Sequence, residues 1–215
     1  MPLRNWILGL FGLSEQRKAD AQHHRGPATH VVILDGTASS LKPGCETNVG
    51  LTYRLLKEVG QSANLSIYYE AGIQWRSWRE TWDVMTGRGI NRQIRRAYGV
   101  LASRYRAGDT IMLIGFSRGA YAVRSLADVI DMVGLLRPEN ATVTHIRTAY
   151  RHYESGATSQ SAKAFRALCH DFAQIEAVAV WDTVKALGVR FPILWRFSMK
   201  KHAFHNSSLG ASEEL

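Results

Sequence analysis

Four short apolar runs are spaced along the chain between residues 30 and 181. They are rich in β-branched and aromatic residues, and turn residues such as glycine, asparagine and aspartate bound them. Runs of this kind are typical of strands buried on both faces of a sheet. The pattern predicts four strands, over residues 30–35, 64–70, 110–116 and 174–181.

Segments of helical periodicity follow the first three runs. Their spacing predicts helices over residues 48–60, 90–106 and 117–134, and two weaker ones over 141–153 and 161–172. Strands alternating with helices indicate a parallel sheet covered by helices on both faces. We therefore expect an α/β fold, with its chemistry at the carboxyl ends of the strands.

The most distinctive polar residues come where predicted strands end. Asp35-Gly36-Thr37 follows the first strand, Ser117 the third, and Asp182-Thr183 the fourth. Because parallel strands end at one edge of their sheet, these side chains are expected to converge.

Ser117 stands between two glycines, in Gly115-Phe116-Ser117-Arg118-Gly119. A Gly-x-Ser-x-Gly turn between a strand and a helix is the nucleophile elbow of α/β-hydrolases. Any side chain at Gly115 or Gly119 would crowd the adjoining strand and helix. The turn exposes the Ser117 hydroxyl, and the Arg118 backbone N–H is then placed to stabilise an oxyanion. The alternative is a serine that only shapes a turn.

A nucleophilic serine needs a base and an acid that orients it. Asp182 ends the next strand and is the candidate acid, although an Asp that only caps a turn would look the same. Asp128 is a poorer candidate, since eleven residues along a helix separate it from Ser117 by about 16 Å. His145, His152 and His170 precede the acid and are expected to pack between helices or lie on the surface. After Asp182 the sequence offers His202 and His205.

Several segments resemble, in order, the motifs of the DUF2235 family, the α/β-hydrolase domain also found in Tle1-type phospholipase effectors of bacterial type VI secretion. They are VVILDGT, TNVGLTYRL, IYYEAGI, a long block around GFSRGAYAVR, AVAVWDTVKALG and HAFHNSSL. The resemblance covers residues 30 to 209, and the GFSRGAYAVR block is its most specific part.

The resemblance implies a serine hydrolase acting on an ester or phospholipid, with an α/β-hydrolase-like fold that is short at its C-terminus. Ser117 matches the family nucleophile and Asp182 the aspartate of its WDTV motif. His205, in the FHNSSL segment, is chosen as the base mainly from this match. The turn Asp35-Gly36-Thr37 matches the DGT motif, for which an oxyanion or substrate-binding role is expected.

Two departures from the family pattern affect these expectations. The family usually continues past the FHNSSL-like motif into a helix carrying another histidine, whereas this chain stops at GASEEL. A catalytically inactive, hydrolase-like binding module is therefore the alternative. EAGIQW also replaces a more Gly-rich continuation, so the substrate loop is expected to differ.

The overall composition is that of an ordinary soluble domain, but the charge is not balanced. Apolar residues make up 46% and charged residues 21%, and the net charge is +9. An anionic partner is expected, either a bilayer surface, a phosphorylated substrate or nucleic acid. No nucleic-acid motif is present, and a solvated basic helix face is the commonest explanation of such residues; the functional alternative that we favour is contact with phosphate headgroups. The basic residues concentrate before the third strand: Arg76, Arg79, Arg88, Arg92, Arg95, Arg96, Arg104 and Arg106.

The remaining expectations concern the ends of the domain and its cysteines. Residues 1–28 are read as an amphipathic or flexible segment and 29–215 as the hydrolase-like domain; the apolar run is too short to span a bilayer and unlike a signal peptide. A bacterial cytoplasmic location is expected, with delivery by a secretion system left open.

Residues 71–89, with three tryptophans, are expected to form a loop or lid. Cys45 and Cys169 are expected to be free thiols, and neither a metal nor a cofactor is expected.

One further alternative is a phosphotransferase of the haloacid dehalogenase type, suggested by VVILDGT. That chemistry needs a nucleophilic Asp two residues before the Asp-Gly-Thr aspartate. Ile33 occupies this position, which argues against it.

Overall fold

The four predicted strands are present in the computed structural model, which describes residues 26–36, 39–42, 44–59, 64–72 and 88–183. Their ends differ from the predicted ones by no more than one residue. The strands are β1 (Thr29–Leu34), β2 (Leu65–Glu70), β3 (Thr110–Phe116) and β4 (Gln174–Trp181).

Five α-helices lie in the same part of the chain: α1 (Asn48–Val59), α2 (Arg88–Arg104), α3 (Arg118–Val133), α4 (Val143–Glu154) and α5 (Gln160–Phe165). The prediction of a helix over 161–172 was wrong at its end. A 3-10 turn, Arg166–Leu168, follows α5, and Cys169 then forms an antiparallel bridge with Leu136. The chain has to leave the helix there to reach the start of β4.

The strands form one parallel sheet in the order β2-β1-β3-β4. The chain passes from β1 to β2, which lies on one side of β1, whereas β3 pairs with β1 on the other side. The strand order therefore reverses between the carboxyl ends of β1 and β3. Such switch points are where ligands bind in open α/β sheets.

Helices cover both faces of the sheet, as the alternation of strands and helices predicted. On one face α1 packs over Val31, Ile33 and Ile114. The larger core lies on the other face, where α2, α3 and α4 cover Val32 and Leu113. The architecture is an α/β-hydrolase-like core.

Some predicted features lie outside the described residues. These are residues 1–25 of the N-terminal segment, residues 73–87 of the tryptophan-rich loop, Thr37 and His205. Among the helices that are described, none combines the length and apolarity needed to cross a membrane.

Candidate active site

Ser117 occupies a strained backbone position between β3 and α3. Its φ is 54° and its ψ is −115°, a conformation that non-glycine residues rarely adopt. Its N–H donates to the carbonyl of Trp181 at 3.0 Å, which ties the corner to the end of β4. Its side chain is half-buried, and no described residue hydrogen-bonds to the hydroxyl. The corner thus presents a hydroxyl free to react.

Gly115 and Gly119 make this corner possible because neither position has room for a Cβ. A Cβ on Gly119 would lie 2.0 Å from the carbonyl oxygen of Leu34, and one on Gly115 would lie 2.6 Å from the Cα of Ala120. The first turn of α3 therefore packs directly against the end of β1. This close approach fixes Ser117 relative to the β1–α1 loop.

Gly36, in that loop, lies immediately beside the serine. A Cβ on Gly36 would be 2.7 Å from Cδ1 of Phe116 and 3.3 Å from Cβ of Ser117. The carboxyl ends of β1 and β3 therefore converge at the switch point of the sheet, with Ser117 on one side and the Asp35-Gly36 turn on the other.

Asp35 holds the loop in place through its buried carboxylate. Oδ1 accepts from the Gly36 N–H at 2.7 Å, the Thr47 hydroxyl lies 2.9 and 2.8 Å from the two oxygens, and the Tyr69 hydroxyl donates to Oδ2 at 2.8 Å. Thr47 in turn accepts from the Gly50 N–H at 2.9 Å and caps α1. Burial and the bond to Asp35 raise the pKa of Tyr69. One carboxylate thus links β1, β2 and the start of α1.

This network separates the roles expected for the Asp35-Gly36-Thr37 turn. The Asp35 carboxylate already accepts hydrogen bonds from three donors, and one of these is the Gly36 N–H. Neither group is available to an oxyanion, so these two residues position the loop. Thr37, the third member, lies outside the described residues.

Arg118 begins α3, where the first N–H groups of a helix have no acceptor within the helix. The partial positive charge at this end of the helix favours an anion near Ser117. The guanidinium of Arg118 is half-buried, and that burial lowers its pKa. The expected oxyanion donor, the backbone N–H of Arg118, is thus at the helix end adjacent to the hydroxyl.

Asp182 follows β4 at the same edge of the sheet. Trp181, its neighbour, pairs with Phe116, the residue before Ser117, so the two corners lie about 5 Å apart, the spacing of adjacent strands. Asp182 is exposed and has a φ of 44°. The backbone therefore turns sharply directly after the end of β4.

Four histidines lie in the described residues, and none of them hydrogen-bonds to the Ser117 hydroxyl. His30 is 2.8 Å from Asp109 near the amino ends of the strands, and His170 precedes β4. The other two belong to α4 and pack against the ring of Phe165: His145 and His152. The contacts of these four side chains are with other groups, and the expected base, His205, lies outside the described residues.

Metal-binding groups are dispersed in the part of the chain that the structure describes. No group of three or more His, Cys, Asp or Glu side chains there could hold a metal ion. Cys45 is exposed and Cys169 is buried, and both are free.

Sequence reasoning did not identify Thr47 and Tyr69 as parts of the site. Thr47 directly precedes a predicted helix, a position typical of a cap. Tyr69 gave no comparable signal, because its contact with Asp35 depends on β2 pairing with β1.

The chain has similarity to known proteins over most of its length. The chain is similar over 95% of its length to "Uncharacterized protein YEL023C" from Saccharomyces cerevisiae, with 27% identity, and the matched region spans 35% of that yeast protein. The chain therefore spans about a third of the length of this relative. No solved structure matches the chain significantly. A family model described as "T6SS, Phospholipase effector Tle1-like, catalytic domain" matches residues 29–214. The chain belongs to the family of Tle1-like phospholipase effector catalytic domains.

Proposed function

We propose that this protein is a serine hydrolase that cleaves a carboxylic ester of a phospholipid or a related lipid. The observation that carries the proposal is the strained Ser117 corner at the switch point of the sheet, with a hydroxyl that no described residue binds. Strain of this kind persists only where the surrounding structure imposes it. Gly115 and Gly119 impose it here through their close contacts.

In the proposed reaction the Ser117 oxygen attacks the ester carbonyl, and His205 accepts the hydroxyl proton. An imidazole that bridges a hydroxyl and a carboxylate separates their oxygens by roughly 7 Å. Side chains extending from two adjacent strand ends can span that distance, which supports Asp182 as the orienting acid. The alcohol then leaves with the proton from His205, and water releases the acyl group from Ser117.

The oxyanion formed in each step is stabilised by the N–H of Arg118 and by the amino end of α3. A second donor from the β1–α1 loop would have to come from beyond Gly36, because the Gly36 N–H is bound to Asp35. Thr37 is the proposed source of this donor, and Asp35 is a positioning residue that acts through the loop.

Hydrolysis assays on the full chain test the proposal. A short-chain soluble ester and a phospholipid dispersion should both be hydrolysed by the wild type and by the Ser161→Ala control, which replaces an exposed serine of α5. Ser117→Ala should lose at least about 10³-fold in kcat, as for loss of a catalytic nucleophile. Equal activity of Ser117→Ala and wild type would contradict the proposal.

The same assays separate the triad from its alternative. His205→Ala should lose activity to a similar degree as Ser117→Ala, and the loss of the pair together should be no larger than either alone, since triad members act as a unit. An inactive wild-type chain with an intact thermal transition would instead favour the hydrolase-like binding module.

A further inference from the structure

A basic groove separates α2 from α4 on the helical face of the larger core. Gly99 of α2 faces Ile146 of α4. One turn closer to the start of α2, the Arg95 guanidinium lies 5.7 Å from the centre of the Tyr150 ring, which is one turn closer to the end of α4. The two helices therefore run antiparallel. The groove contains two adjoining cavities of about 350 and 550 Å³, which share Arg95 and Arg147 in their walls. From Asn91 to Ser103 it extends about 18 Å along α2.

The walls of this groove carry more positive than negative charge. Among the described residues, five arginines line it and two carboxylates are close: Glu70 pairs with Arg96, and Glu154 lies at one end. Arg147 has no acidic partner among the described residues, and it is exposed. The five arginines are Arg92, Arg95, Arg96, Arg147 and Arg151.

The groove also has an aliphatic side. Val100, Val143 and Ile146 line the larger cavity next to the arginines, and Val143 is 66% exposed. Exposed aliphatic residues beside arginines suit the boundary between phosphate headgroups and acyl chains. The aromatic rings that line the groove, Tyr68 and Tyr150, are half-buried and buried, so they offer no open platform on which bases could stack.

We propose that this groove is a docking surface for anionic phospholipid headgroups at a bilayer. A length of about 18 Å exceeds what one small anion occupies, and the aliphatic side favours a lipid surface over a soluble phosphate. Because α2 begins and α4 ends towards the carboxyl edge of the sheet, a docked bilayer would lie close to the edge that carries Ser117. This proposal concerns binding and does not depend on catalysis.

Vesicle co-sedimentation tests it with the full chain carrying Ser117→Ala, so that the lipids stay intact. Vesicles of one part phosphatidylglycerol to two parts phosphatidylcholine should bind the protein, and pure phosphatidylcholine should bind it much less. Removing Arg147 and Arg151 together, as Arg147→Gln/Arg151→Gln, should weaken binding about 30-fold, or about fivefold for each arginine near an anionic membrane. Added salt should weaken the binding of the parent protein.

A matched control removes the same charge elsewhere. Lys57 on α1 and Lys163 on α5 are exposed and lie outside the groove. Lys57→Gln/Lys163→Gln should bind vesicles within about threefold of the parent, since charges beyond a Debye length contribute little. The arginine variant should keep the thermal transition of the parent protein, which shows that it folds.

Three outcomes would overturn the proposal. The first is equal weakening in the arginine and lysine double variants, which would indicate net charge alone. The second is displacement of the protein from vesicles by glycerol phosphate at matched ionic strength, which would indicate a pocket for a single soluble anion. The third is arginine-dependent binding of an oligonucleotide without arginine-dependent vesicle binding.

Discussion

Replacing Asp35 with alanine removes the acceptor that joins β1, β2 and the start of α1. Three donors lose their partner: the Gly36 N–H, the Thr47 hydroxyl and the Tyr69 hydroxyl. Gly36 is buried, and each buried donor left unsatisfied costs about 1–3 kcal/mol; the two hydroxyls are half-buried and recover part of their loss from water. We expect Asp35→Ala to lower the free energy of unfolding by about 3–5 kcal/mol.

Urea denaturation followed by circular dichroism measures this loss, with Glu58→Ala as control because Glu58 is exposed on the last turn of α1. The control should change stability by less than about 0.5 kcal/mol, and Asp35→Asn should lie between the control and Asp35→Ala. Tyr69→Phe combined with Asp35→Ala should be non-additive by about 1 kcal/mol, since the two side chains share one bond. Additive effects, or a stable Asp35→Ala protein, would refute the assigned role of this carboxylate.

Activity gives a second measure of the same perturbation. Because Gly36 lies beside Phe116 and Ser117, a loosened loop displaces the groups around the proposed nucleophile. Under conditions where Asp35→Ala remains folded, kcat should fall about 10- to 100-fold, the effect of a small misplacement of reacting groups. Full activity in the folded variant would show that the loop does not position the site.

The remaining predictions concern packing, thiol reactivity and alkaline pH. Gly119→Ala should lose about 3 kcal/mol or more in urea denaturation, because its Cβ would be 2.0 Å from the Leu34 carbonyl, whereas Gly26→Ala, with its nearest neighbour at 3.4 Å, should stay within about 0.5 kcal/mol. A disulfide reagent should modify exposed Cys45 in the native protein and buried Cys169 only after unfolding. Burial raises the pKa of the Cys169 thiol from 9.0 to about 11, which disfavours the reactive thiolate. Rapid modification of both thiols in the native protein would contradict the structure. The free energy of unfolding should decrease as pH rises above 9.0, because the Cys169 thiol ionises at lower pH in the unfolded chain than in the folded protein. It should decrease further above about pH 10, because burial also raises the pKa of seven tyrosines. These tyrosines are Tyr68, Tyr69, Tyr98, Tyr105, Tyr121, Tyr150 and Tyr153. Urea denaturation curves at increasing pH measure this decrease, and a free energy of unfolding that stays constant with pH would count against the prediction.

Local patterns in the sequence were sufficient to predict the strands and the serine corner. Apolar runs such as 110–116 are bounded by turn residues. They are shorter than a typical helix, and this length favours a strand. The tight turn around Ser117 predicted that Gly115 and Gly119 have no room for a side chain. The structure shows the close approaches that leave no such room. Helix ends were less predictable, since α5 ends where the bridge between Leu136 and Cys169 forms.

Contacts between distant elements could not be read from the sequence. Asp35 meets Thr47 and Tyr69 across 12 and 34 residues, and the second contact exists only because β2 lies beside β1 in parallel register. The basic groove has the same origin. The arginines of α2 stood out by composition, but Arg147 and Arg151 joined them only through the antiparallel packing of α4.

Reaction with a fluorophosphonate probe tests the central claim most directly, because the probe forms a covalent bond with an activated serine hydroxyl. Peptide mapping of the treated full chain should place one phosphonyl group on Ser117, the Ser161→Ala control should be labelled equally, and Ser117→Ala should remain unlabelled. A folded wild-type chain that takes up no probe, or one that carries it on another serine, would contradict the account of this corner as a catalytic nucleophile.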